Sequence, residues 1–106
     1  MRLGVDRVDM PVVWVTKDDG SDIIRADVIA AIGRDYNGNI TARLGHGEGA
    51  TVTLADPGKE HGVHPPKDFH RQLIRIIAEL SDASGAFLIR PVHDEVHGWQ
   101  WLTEPL

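Results

Sequence analysis

Histidine supplies most of the chemistry this chain could perform. Three of its six histidines fall within "HGVHPPKDFH", residues 61 to 70. Neutral imidazoles are good ligands for divalent transition metals. His61, His64 and His70 with a water in the fourth position would suit zinc, which lowers the pKa of bound water far enough for hydrolysis. His46 or His93 could serve as an outside ligand. A second pair, His93 and His97 in "HDEVH", departs from the zincin pattern, in which glutamate directly follows the first histidine; here Asp94 intervenes. On a continuous strand these two would stand about 13 Å apart, too far to share an ion. The preferred reading is a loop and no cofactor, with zinc or another divalent metal as the minor alternative. No visible partner orients His61 and His64, and on a helix His70 would lie roughly 75° from the centre of the apolar stripe, where a ring packs and leaves one nitrogen wet.

Other reactive sets are absent. Ser21, Ser81 and Ser84 occupy turn or helix-end settings outside any G-x-S-x-G elbow, and acidic neighbours such as Asp18 and Asp19 point apart on extended backbone. "LGHGEGATV" (44–52) looks superficially like a kinase glycine-rich loop, but no lysine lies on the following strand and Glu48 has the wrong sign for phosphate, so a hairpin turn accounts for it better. The chain therefore reads as non-enzymatic. Two surface features remain as partner-binding candidates. Lys67, Arg71 and Arg75 recur every fourth residue and would form a basic ridge on a helix. Trp99 and Trp101 would share one face of a strand, where two indoles form a shelf or, as commonly, roof a core.

Composition narrows the partners. A net charge of −5 disfavours a generic nucleic-acid or anionic-membrane footprint, leaving nucleic-acid or polyanion binding through the ridge as an alternative. With no cysteine there is no disulfide framework, and a reducing compartment is allowed. The opening segment carries Asp6 and Asp9 and no apolar run, which points to neither signal peptide nor membrane anchor, so a cytoplasmic protein is expected. At 106 residues one compact domain is expected, with residues 1–10 as a loose arm and 56–66 as a Pro/Gly/His loop.

The elements that must position these residues follow from local signals. "PVVWVT" (11–16) is apolar on both alternating faces and predicts an interior strand; Asp19-Gly20 predicts a turn. "SDIIRADVIAAIG" (21–33) reads as extended with a bend near Ala26 and Asp27. Asn37-Gly38 is the strongest hairpin signal, leading into Ile40, Ala42 and Leu44 on one face, answered by Ala50, Val52 and Leu54 on the next strand. Pro66 fits the first turn of a helix running to about Leu80, with Phe69, Leu73, Ile76, Ile77 and Leu80 as its buried stripe. "AFLIRPV" (86–92), halted at Pro91, and "GWQWL" (98–102) supply two more strands. The expected fold is α+β: a small, mostly antiparallel sheet made of a meander of about four strands, one amphipathic helix, then two strands, the helix on one face. The order of elements over 12–80 is loosely similar to that of small swarming-motility FlbD-type proteins. "DVIAAIGRDYNGNITARL" resembles part of the β-rich LytTR DNA-binding domain. The basic contact residues of the latter are not evident and the former type is shorter, so no functional residue is carried across. Short strands with pairable edges make a protein-interaction module, accessory or regulatory and self-associating as a homodimer, the leading expectation.

Overall fold

The computed structural model describes residues 12–45, 50–56 and 63–106; the expected N-terminal arm and most of the 56–66 loop lie outside them. The chain is a small α+β domain, but its strands divide between two sheets. β1 (Val12–Thr16) is apolar on both faces because it is interior: it pairs antiparallel with β2 (Ile23–Arg25) on one side and parallel with β6 (Ala86–Asp94) on the other. β7 (Gly98–Pro105) completes this four-stranded sheet, ordered β2-β1-β6-β7. β3 (Ile29–Arg34), β4 (Ile40–Leu44) and β5 (Thr51–Ala55) form a separate antiparallel sheet of three.

The single-sheet meander is thus corrected. The bend expected near Ala26 and Asp27 is a 3-10 turn, Ala26–Val28, and it carries the chain out of one sheet and into the other, so β2 and β3 do not pair. The Asp19-Gly20 and Asn37-Gly38 turn signals hold, while residues 46–49 of the expected 44–52 turn lie outside the described residues. Gly20 and Gly38 both adopt positive φ. In the β3–β4 turn, Asp35 Oδ1 accepts the N–H groups of Asn37 and Asn39 at 2.9 and 3.0 Å. A register shift between β4 and β5 buries both Leu54 and Ala55, breaking the strict alternation expected there.

The helix α1 spans Phe69–Leu80, starting three residues later than the Pro66 signal suggests. Pro66 instead closes the preceding turn, its carbonyl accepting the Phe69 N–H at 3.0 Å. The predicted stripe faces inward, with Phe69 and Leu73 fully buried and Ile76, Ile77 and Leu80 packed against the core. α1 meets β3 of one sheet and β7 of the other, so it lies where the two sheets converge rather than over one face of one sheet. Val15, Ile24, Ile89, Ile40, Ala42 and Leu54 from the strands join Phe69 and Leu73 in one core.

Both last strands outrun their expected ends. β6 passes through Pro91 to Asp94 because β1 pairs only as far as Ile89; the missing Pro91 N–H falls where no β1 residue stands opposite. β7 continues past Leu102 because Thr103, Glu104 and Pro105 stay paired with Ile89, Leu88 and Phe87, although their polarity gives no strand signal.

Candidate functional site

Each candidate histidine among the described residues has a local structural setting. His64 lies against the β3–β4 turn: a Cβ added to Gly38 would collide with His64 Nδ1, so the imidazole rests directly on that glycine. His70 is half-buried on α1, with its Nδ1 buried and without a hydrogen-bond partner. His93 tilts against the Trp99 ring, centroids 5.4 Å apart. His97 sits in the β6–β7 turn, where Asp94 Oδ1 accepts the Val96 and His97 N–H groups at 2.8 and 2.5 Å. Those bonds, the His97 N–H foremost, hold the Asp94 carboxyl below its ordinary value of 3.8. "HDEVH" is therefore a strand end and an Asp-organised turn, with His93 on one strand and His97 beyond it. Among the described residues no three histidine or carboxylate side chains gather as a metal site. His46 and His61 lie outside those residues.

The tryptophans occupy the core rather than a surface shelf. Trp101 stacks on Phe69 at 4.5 Å with 15° between the rings, and Trp99 meets Phe69 edge-on at 6.0 Å. Their indole N–H groups donate to the carbonyls of Phe69 and Val63, at 2.8 and 2.6 Å. A buried indole needs such an acceptor, and these bonds tie β7 to the start of α1 and to the segment before it. Trp99 also reaches one wall of a cleft of about 500 Å³, lined further by Lys17, Asp18, Asp19, Arg90 and His93. Across it Asp18 joins the sheets: its N–H donates to the Leu54 carbonyl at 2.8 Å, and its carboxylate accepts the Asp56 N–H at 2.9 Å. Asp19 is held below its ordinary value by hydrogen bonds from Ser21, side chain first and backbone second.

Arg71 and Arg75 are exposed on α1, but Lys67, also exposed, stands in the turn before the helix and not on its ridge, because the helix begins only at Phe69; no described carboxylate approaches the three within 4.0 Å. Ile74, 51% exposed, lies on the same outer face.

Sheet edges differ in how open they are. β2 has three residues, β3 carries a register shift, and β5 is partly capped by the Asp18 N–H. β7 has eight residues and stands last in its sheet. Its ladder parity is defined by the bond from the Leu106 N–H to the Ala86 carbonyl, 2.9 Å, and by Pro91, which opposes Trp101 with no N–H to give. Gln100, Leu102 and Glu104 consequently bond inward to β6, while Trp101 and Thr103 turn their backbone groups to the outer edge. On the sheet surface away from the core, Trp14, Leu88 and Leu102 share one face, with the Arg25 guanidinium 5.9 Å from the Trp14 ring centroid. Residue types alone did not reveal this edge, since parity depends on a pairing partner remote in sequence; Pro91 was the one local clue.

No helix among the described residues is long and apolar enough to cross a membrane. No family model matches the chain, and no match was found among curated proteins or solved structures.

Proposed function

We propose that the chain is a non-enzymatic protein-interaction module, accessory or regulatory in role, that works by adding strands to its β7 edge and associates with itself. The observation that supports this reading is the eight-residue edge strand whose outward backbone groups adjoin an exposed apolar side chain, Leu102, 44% exposed. The absence of cysteine suits work in a reducing, cytoplasmic setting. The test is light scattering over a dilution series. The expected result is a mass approaching twice 11.7 kDa at high concentration. A monomer at every concentration, with no strand-forming peptide bound, refutes it.

The exposure of Arg71 and Arg75 on α1 and of Lys67 just before it, with no described carboxylate within 4.0 Å, favours a second reading, docking of a polyanion on this outer face. Such binding weakens steeply with salt. Charge reversal at Arg71 and Arg75 should remove it, and binding that survives the reversal excludes this face.

A further inference from the structure

We infer that two copies of the chain pair their β7 strands antiparallel about a two-fold axis beside Leu102. This rests on the interaction-module reading and gives it an occupant and a register. The stretch available for pairing is short. At one end Trp99 is tied to the segment before α1, its indole N–H donating to the Val63 carbonyl; at the other, Pro105 has no N–H to offer. Between them only Trp101 and Thr103 face outward.

A two-fold axis can sit beside few residues of such a segment, and side-chain chemistry separates the choices. Centred on Trp101, it sets Thr103 against the partner's Trp99, the residue tied to Val63, and pairs the two Trp101 residues with each other. A centre at Thr103 spends the Trp101 pair on the partner's Pro105 and sets Leu102 against a glutamate. With the axis at Glu104, two carboxylates stand directly opposite, which is unfavourable. Beside Leu102 the conflicts retreat to the two ends, where Trp99 lies opposite the partner's Pro105, and the centre is clear. Trp101 and the partner's Thr103 exchange both backbone hydrogen bonds, and symmetry repeats the exchange. Gln100 lies opposite the partner's Glu104, an amide beside a carboxylate. Leu102 meets its own copy in a non-hydrogen-bonded pair, where Cα atoms approach to about 4.5 Å. The two four-stranded sheets then run on as one, and Leu102 leaves solvent against a second leucine.

The chain contains no cysteine, so a single introduced thiol reports this contact cleanly. A cysteine pair at that separation lies within disulfide reach. Leu102→Cys should form an intermolecular disulfide under mild oxidation far faster than Ile23→Cys, which sits on β2 and is 57% exposed. Thr103→Pro removes only an edge-facing N–H, because Thr103 opposes Ile89 in a non-bonded pair; it should leave the melting curve of dilute, monomeric protein nearly unchanged and weaken dimerisation at least about tenfold. Leu102→Glu, placing two carboxylates on the axis, should do the same. Equal cross-linking at positions 102 and 23, or a dimer indifferent to Thr103→Pro and Leu102→Glu, overturns the proposed register while the self-association reading stands. A monomeric parent chain at all concentrations overturns both.

Discussion

Replacing Gly38 with alanine should cost stability through two separable terms. Gly38 has φ 86°, and an L-residue in that region carries about 1–2 kcal/mol of steric penalty. Lower entropy of the unfolded alanine chain returns about 0.4–1 kcal/mol. The added methyl also meets His64 Nδ1, and the imidazole must leave its place on the turn. His64 is an exposed side chain that can swing away, so this second term should stay near 0.5–1 kcal/mol, the lower end of couplings between touching residues. The sum is a loss of about 1–2 kcal/mol, and each 1 kcal/mol lowers Tm by about 4–8 °C for a domain of this size. Urea denaturation of the parent, Gly38→Ala, His64→Ala and the double variant separates the terms. In the His64→Ala background the backbone cost should persist and the collision cost should vanish. A neutral Gly38→Ala refutes the backbone argument. Equal costs in both backgrounds refute the contact and return His64 to the loop as an uncommitted side chain.

Phe69→Ala should cost about 3–5 kcal/mol, because it removes the ring that Trp101 stacks on and Trp99 meets edge-on; a loss below 1 kcal/mol in urea denaturation would contradict the core described here. Asp94→Asn should lower stability at neutral pH. Because the folded Asp94 carboxyl lies below 3.8, its contribution is present above that value and is lost as pH falls through the lower folded one, so a gap in Tm between parent and variant should be present at pH 5 and close below about pH 4. A gap independent of pH would show that charge is not involved. Zinc should leave the Tm unchanged, since each described histidine has its own local setting; a rise that His61→Ala with His64→Ala abolishes would establish the metal site.

What could be read from the sequence was what is local. Asn37-Gly38, Asp19-Gly20 and the Phe69 to Leu80 stripe each specify structure within one turn or one helix face, and each is where the spacing places it. Pairing between remote segments leaves no such mark. Nothing near Val12 says that its strand will lie parallel to β6, or that Ile24 and Ile29 belong to different sheets. Alternation puts Trp99 and Trp101 on one face without saying that Phe69 will cover it. The outward exposure of Arg71 and Arg75 followed from helical periodicity, which does not reach Lys67 in the turn before α1, whereas the open edge of β7 needed the ladder parity that Pro91 and β6 impose.

The most direct measurement of the central claim is amide hydrogen exchange at Thr103 as a function of protein concentration. Leu102 and Glu104 bond to β6 in the isolated chain and should be protected at every dilution. Thr103 faces the open edge. Its exchange should be fast in dilute protein and should slow, in step with the rise in mass, as copies pair along β7. Thr103 exchanging rapidly in concentrated protein whose mass shows a dimer would place the interface elsewhere, and rapid exchange in a chain that never dimerises would contradict the account itself.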